Sequence, residues 1–540
     1  MISYSVIIRT NFLEFPLERD EGLYVHFAEL ILEGKLPYAS FYDPKPTGLF
    51  YIYAAIMFIS GKSLTALHWA FTIINATTCY MTYQLSKKLM GRIAAVTSSL
   101  LFVILSLNPH LGGYSVLSEH LVIFLVVPSF LLLITGLERN HLSWIVLSGL
   151  GFGISIQAKQ NGLFFALAGV VYLVYYHIKE AKTTQGIIIR LVYFGTMILV
   201  PSLLLWIYFT GNDLGGDFLY WNYIYGIKYL SNVPWSEALD YFTLTVTKLN
   251  EGYFAWWLIS FASICSVPFL HHSRRVKVFL ITFSVLSIIS ITPRWTFHGH
   301  YFILMIPALA IASGALIDHI VRQFKMESDL FFAGLGLVII TAIIVHTFEN
   351  RDHLINVDHK RIIKNIYGSN PFVETHEISQ MIRNRAHGAD QLLVFGGEMQ
   401  LYYYTGLRAP TKHLFGPYLV DASDEHLTRQ NEYMHDAETH LPRFFIAIRH
   451  PLSWSVKKGH NPMIMTWYND FTSKNYDLIG LCEIRYNLES KYYWDDDLDN
   501  HIPGGDHQIY VWELKKTPFK GGMYINSRSD AQATQNIISK

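Results

Sequence analysis

Residues 119–137 read EHLVIFLVVPSFLLLITGL. A carboxylate opens the run, and no Asp, Glu, Lys or Arg follows it through residue 137. Wound as a helix at 1.5 Å per residue, this stretch is about 28 Å long, close to the thickness of a bilayer's hydrocarbon core. A surface helix of a water-soluble protein keeps a polar face, and this run has none. It reads as a membrane span.

Comparable apolar runs lie on either side, near 64–86, 92–108, 142–158, 161–177, 188–210, 252–270, 276–293, 301–321 and 330–347. A shorter run, 48–60, follows Pro44 and Pro46 and reads as an interfacial or re-entrant helix. The 540 residues are 51% apolar, 16% charged and 15% aromatic. Soluble domains carry about 25% charged residues, so a single soluble globule is excluded, and the aromatic excess suits two water–lipid interfaces. Net charge is zero, which gives no footprint for a nucleic-acid partner. Cys79, Cys265 and Cys482 form no CxxC or zinc-binding spacing, so no disulfide framework is expected.

Past Phe348 the texture changes. A helix is expected over 376–385, and strands at 391–395, 443–448, near 478–484 and at 508–514. The expected organisation is a polytopic α-helical membrane domain over 1–347, a soluble extracytoplasmic α/β domain over 348–515, and a polar flexible tail over 516–540. Residues 11–63 form an outer loop with interfacial helices. Residues 1–11 are too short to span, and a first helix is expected to be truncated or missing ahead of them.

Orientation follows from basic residues in short loops. One set of loops carries twelve (Lys87, Lys88, Arg92, Arg139, Lys179, Lys182, Arg190, Arg274, Arg275, Lys277, Arg322 and Lys325) and the alternating set four (Lys159, Lys228, Lys248 and Arg294). The first set is therefore expected in the cytoplasm. Residues 11–47, the loops around 108–119, 159–161, 211–251 and 293–300, and the C-terminal domain then face outward. The unusual polar residues cluster in those same loops.

Each cluster has two readings. Asp20-Glu21, with Arg19 before and Tyr24 after, supplies a carboxylate able to accept a proton from a hydroxyl, or else a wet interfacial loop. Lys45, held extended between Pro44 and Pro46 and preceded by Asp43, suits a phosphate, or else snorkels. Ser118 reads as an N-cap, with Glu119 at the positive helix end or used in the site. Lys159 opposes the charge bias and reads as a second phosphate contact or an ordinary turn. In 293–301, Arg294 can clamp phosphate, while His298, His300 and Tyr301 line a helix mouth and could bind substrate, hold a metal or sit among headgroups. Walker A, GxSxG and HExxH motifs are absent.

Taken in order, these fragments resemble the GT-C superfamily of membrane glycosyltransferases, and within it the family of dolichyl-phosphate-mannose–protein mannosyltransferases and the lipid A aminoarabinose transferase. The stretches that carry the resemblance are Asp20-Glu21-Gly22-Leu23-Tyr24, Gly34-Lys35-Leu36-Pro37-Tyr38, Asp43-Pro44-Lys45-Pro46-Thr47, Ser118-Glu119, Lys159-Gln160, Gly299-His300-Tyr301-Phe302 through Pro307, and Phe395-Gly396-Gly397-Glu398 through Gly406. The resemblance implies inverting transfer of a sugar from a polyprenyl-phosphate donor to a lipid, glycan or protein acceptor at the outer face of the plasma (bacterial inner) membrane. It implies Asp20, with Glu21 beside it, as catalytic base and Lys45 on the donor phosphate. Lys159 and Arg294 are candidates for the same phosphate, and Tyr24, Asp43, Glu119, His298, His300 and Tyr301 for acceptor or substrate. A divalent metal is left open and no other cofactor is named. The chain departs from the pattern at Thr47, where a second proline is usual, and at Pro44, where some relatives carry a glutamate linked to metal binding. A secondary transporter and a catalytically inactive GT-C-like binding protein are the alternatives; the spans' near-freedom from internal charge disfavours the transporter.

Overall fold

The computed structural model describes residues 1–180, 183–228, 233–324, 329–421, 423–455, 463–485, 489–499, 501–505 and 507–516. The expected tail beyond residue 516, and Lys182 and Lys325 of the charge count, lie outside them. The chain divides into two compact units, one of Met1–Phe15 with Asp43–Asp358 and one of Pro16–Tyr42 with the residues from His359 onward.

The first unit is helical. Each of the ten long apolar runs forms a helix, including Ser118–Arg139, Gly162–Lys179, Thr184–Thr210 and Ile306–Gln323. Among the described residues, four helical stretches of at least 18 residues are apolar enough to cross a membrane, or up to six if each bent pair is one span. That is fewer than the ten runs, because several, such as Arg92–Ser106 and Leu142–Ala158, form helices shorter than 18 residues. The Gly48–Ser60 helix, expected to be interfacial or re-entrant, turns by 108° into Leu64–Met90. Thr184–Thr210 exposes Leu199, Leu203 and Leu204, an apolar face that suits contact with lipid. Where helices must touch closely, small residues do it. A Cβ on Gly314 would lie 2.4 Å from the Ala94 carbonyl oxygen, so the Ile306–Gln323 and Arg92–Ser106 helices can pack at that distance only with glycine there.

Hydroxyls inside these helices bond back to carbonyls four residues earlier, as Thr78 does to Ile74 and Ser98 to Ala94 (2.8 and 2.7 Å), which satisfies them in an apolar setting. The short Ile2–Thr10 helix belongs to this unit as well. Its Arg9 guanidinium is buried and donates to the carbonyls of Ser106, at 3.0 Å, and Gly113.

The second unit holds a five-stranded sheet: β1 (Leu392–Phe395), β2 (Phe444–Arg449), β3 (Tyr476–Glu483), β4 (Lys491–Trp494) and β5 (Gln508–Leu514), in the order β1-β2-β5-β3-β4. β1 and β2 run parallel, which requires a crossover, and Gln400–Thr405 and His426–His440 lie within it. The other pairs are antiparallel. β2 reads Phe-Phe-Ile-Ala-Ile-Arg and is buried along almost its whole length, as a strand covered on both faces should be. Phe395, Phe445, Trp454, Phe471 and Tyr476 form the core on one side. β4 is an addition to the strands expected from sequence, and the aromatic stretch after Gly397 is a helix.

The observed units differ from the expected boundaries at two places: residues 348–358 belong to the helical unit, and residues 16–42 to the C-terminal one. Residues 16–42 pack within the C-terminal unit. The reason is a set of specific contacts. A Cβ on Gly22 would lie 2.5 Å from the Gln400 backbone nitrogen, so the Arg19–Leu32 helix rests directly on the start of Gln400–Thr405. His26 stacks on Tyr402 at 4.9 Å, Arg408 pairs with Glu29 and Glu33, and the Tyr42 hydroxyl lies 2.6 Å from His413 Nδ1. Filling the Gly22 contact should overpack it. Gly22→Ala is expected to cost about 1–3 kcal/mol, read as a lower melting temperature of the detergent-purified protein, whereas Gly388→Ala, which meets open space, should leave it unchanged.

Candidate active site

The residues singled out from sequence divide between the units, with Asp20, Glu21 and Tyr24 in the second and the others in the first. In the first unit the turn 43–47 is pinned at several points. The Asp43 carboxylate is fully buried and accepts the Lys45 backbone N–H at 2.8 Å, while the Lys45 ammonium stands 3.8 Å from the same oxygen. Asp43 therefore shapes the turn and biases its lysine. Gln160 Nε2 donates to the Pro44 carbonyl at 2.8 Å, which ties this turn to the one at 159–161.

Lys159 meets Glu119. The Glu119 side chain is 0% exposed and that of Lys159 is 12%. One Glu119 oxygen accepts from Lys159 and lies 3.7 Å from His300 Nε2; the other accepts from Ser118 Oγ at 3.1 Å. The Lys159 ammonium also sits over the Tyr301 ring, 4.5 Å from its centroid. Two of the sequence candidates thus neutralise each other, with a third, His300, alongside. Ser118 is not the N-cap: Leu117 holds that position and Ser118 is spent on Glu119. His298 stacks near His300 at 5.5 Å.

Arg294 is exposed, in a 3-10 turn, with φ +71°. Trp295 and Phe297 also have positive φ, +56° and +41°. Such backbone costs of order 1–3 kcal/mol per residue and persists only when packing enforces it. Here Trp295 packs edge-on against Trp235 at 5.1 Å and Phe297 against Phe242 at 5.1 Å, both from the amphipathic Trp235–Asn250 helix.

In the second unit Glu18 and Glu21 form a reciprocal cap on the Arg19–Leu32 helix. The Glu18 carboxylate accepts the Glu21 N–H at 3.0 Å, and Glu21 Oε2 accepts the Glu18 N–H at 2.8 Å. Glu21, a catalytic candidate from sequence, is 1% exposed and has this structural task. Asp20 is partly exposed and accepts from the Tyr24 hydroxyl, one helical turn on, at 3.3 Å. Tyr24 is buried and so orients the carboxylate.

Arg19 donates to Glu398 at 2.6 Å and to Asn370 at 3.1 Å. Buried Glu398 also takes the Ser453 hydroxyl at 2.5 Å and the Gly397 N–H at 3.0 Å. Sequence reading placed Glu398 in a family-like stretch but gave it no role; its role is to hold the residue next to Asp20. Among the described residues no group of three or more His, Cys, Asp or Glu is arranged to hold a metal ion.

Comparison with known proteins agrees with this architecture. The family described as dolichyl-phosphate-mannose-protein mannosyltransferase matches residues 44–206. No curated protein matches the chain. The structure of ArnT from Cupriavidus metallidurans bound to undecaprenyl phosphate superposes with a TM-score of 0.58 at 12% identity, covering 94% of this chain and 97% of that one. Its apo form gives 0.55 at 12% identity, covering 94% and 96%. The archaeal oligosaccharyltransferase AglB from Archaeoglobus fulgidus, in complex with an inhibitory peptide and a dolichol-phosphate, gives 0.49 at 10% identity, covering 92% and 74%. The fold is shared with ArnT, a helical membrane domain with a C-terminal sheet domain, and the family match over residues 44–206 agrees with the resemblance read from the motifs.

Two outcomes follow. Breaking a buried ion pair from one side leaves an unpaired charge, at roughly 3–5 kcal/mol, while replacing both partners costs far less. Glu119→Gln should therefore lower the melting temperature more than the double variant Glu119→Gln/Lys159→Met. Separately, burial first, and then the neighbouring Asp20 and Glu21 carboxylates, hold the Glu18 carboxyl well above the usual range. A carboxyl with a higher pKa folded than unfolded binds more protons when folded, so its contribution to stability falls as pH rises through that window. Glu18→Gln is expected to raise the melting temperature at about pH 8 and to flatten the gain the parent shows on acidification toward about pH 5.

Proposed function

We propose that this protein is a membrane glycosyltransferase that moves a sugar from a polyprenyl-phosphate donor to an acceptor hydroxyl, with inversion, at the outer face of the plasma membrane. The observation that carries the reading is the likeness over 94% of the chain to ArnT bound to undecaprenyl phosphate. A family match that begins at Pro44, inside the Lys45 turn, supports it. The excess of basic residues in one set of loops supports the orientation, with the C-terminal unit outside the cell.

The chemistry suits the side chains present. The acceptor oxygen bonds to the anomeric carbon as the bond from that carbon to the donor phosphate oxygen breaks. The acceptor proton goes to Asp20, whose carboxylate Tyr24 orients and whose neighbour Arg19 is fixed by Glu398. Polyprenyl phosphate leaves with the bonding electrons. Lys45 stabilises the negative charge that grows on it, and interactions that strengthen in that state accelerate the reaction. Exposed Arg294 is the second candidate for that phosphate. Glu119 occupies most of the charge of Lys159, so Lys159, Glu119, His300 and Tyr301 together form a polar wall suited to acceptor hydroxyls.

The test uses the purified protein and a panel of undecaprenyl-phosphate-linked hexoses and pentoses, with release of undecaprenyl phosphate in the presence of candidate acceptors as readout. A positioned general base commonly contributes 10²–10⁴-fold. Asp20→Asn is expected to lower turnover by about a hundredfold or more while binding undecaprenyl phosphate as the parent does. Turnover undiminished in Asp20→Asn would remove the base assignment, and no release from any donor by the parent would remove the donor class.

A further inference from the structure

Thr47 stands where the pattern carries a second proline, and the structure shows what holds it. Thr47 has φ −60° and ψ −29°, the φ that a proline ring imposes. That value is ordinary for helical backbone, but a threonine has no ring to hold it there, and hydrogen bonds to a distant side chain do so instead. The partner is Asn222, distant by 175 residues in sequence. Asn222 Oδ1 accepts the Thr47 backbone N–H at 2.8 Å, and the Thr47 hydroxyl lies 3.2 Å from Oδ1 and 3.0 Å from Nδ2. Nδ2 also returns to the Phe218 carbonyl at 2.8 Å. Thr47 is 1% exposed and Asn222 4%, so water does not compete for these bonds.

The backbone around Asn222 is unusual as well. Tyr220–Ile224 is a π-helical turn between the helices Gly215–Leu219 and Tyr225–Lys228. Such turns are rare, and many occur at functional sites, because the extra residue swings a side chain out of the regular helical register. Trp221 is buried and packs on Tyr225 at 4.8 Å, which fixes the turn from its other side.

We infer that Asn222 is a positioning residue for the Lys45 turn, and that the Asn222–Thr47 pair replaces by hydrogen bonding the conformational constraint that a proline at 47 would supply. The turn is then clasped at both ends, by Asp43 on the N-terminal side and by Asn222 on the other, with Lys45 between them. Its ammonium is presented to a phosphate in one geometry. This inference rests on the reading of Lys45 as the donor-phosphate contact.

The experiment measures the dissociation constant of undecaprenyl phosphate for the full-length protein in detergent, comparing the parent with Asn222→Ala, Asn222→Ala/Thr47→Pro and Lys45→Ala. Loss of the hydrogen bonds in Asn222→Ala is expected to weaken binding about tenfold. Adding Thr47→Pro should bring it back to within about threefold of the parent, because the ring fixes the same φ without needing a partner. General damage to the fold would not be rescued in this way. Binding unchanged in Asn222→Ala but weakened in Lys45→Ala overturns the positioning role and leaves the phosphate reading intact. Binding unchanged in Lys45→Ala overturns both. Weakening in Asn222→Ala that Thr47→Pro fails to repair also overturns the inference. If Asn222→Ala does not accumulate, Thr47→Val keeps the shape and the N–H but loses the hydroxyl, and about threefold weaker binding is expected; unchanged binding there counts against the pair.

Discussion

A charge removed from water must find a partner, and this cost organises the structure. The Glu119 carboxylate is completely buried, and Lys159, His300 and Ser118 surround it. Without them the start of the Ser118–Arg139 span would carry an uncompensated anion, which costs several kcal/mol in a low-dielectric setting. The pair links the first turn of that span to the 159–161 turn and to the segment that opens at Gly299. From there Gln160 reaches the Pro44 carbonyl, and so the turn that carries Lys45. Charge satisfaction and the arrangement of the candidate site are one network in the helical unit.

The second unit solves the same problem differently. Its Arg19–Leu32 helix begins with three carboxylates in four residues, Glu18, Asp20 and Glu21. Two of them cap the helix reciprocally, Arg19 is drawn to Glu398, and Asp20 stays partly exposed and accepts a tyrosine hydroxyl from its own helix. The stretches that carry the family resemblance therefore divide by task. Gly22, Glu21 and Glu398 build and dock the helix, and the partly exposed Asp20 is the one we propose as base. Proximity in a motif does not mean a shared role.

The bond between Thr47 and Asn222 shows how a departure from a pattern can be compensated elsewhere. Replacing a proline frees a backbone N–H and a torsion angle. A distant amide on a widened helical turn accepts the one and fixes the other.

The sequence alone determined the helical runs, because a span must be apolar along its whole length and that property is local. It determined the strands Leu392–Phe395, Phe444–Arg449 and Gln508–Leu514 for the related reason that buried strands are continuous apolar runs. It also located the polar clusters, since charge beside a long apolar run is conspicuous. Tertiary structure decided the rest. That residues 16–42 join the C-terminal unit depends on Gly22 meeting Gln400 and Arg19 meeting Glu398, contacts between segments more than 370 residues apart. That Lys159 neutralises Glu119, that Leu117 and not Ser118 caps the span, and that Asn222 grips Thr47 likewise depend on which surfaces touch. Residue type specifies what a side chain requires, and only packing decides which distant group supplies it.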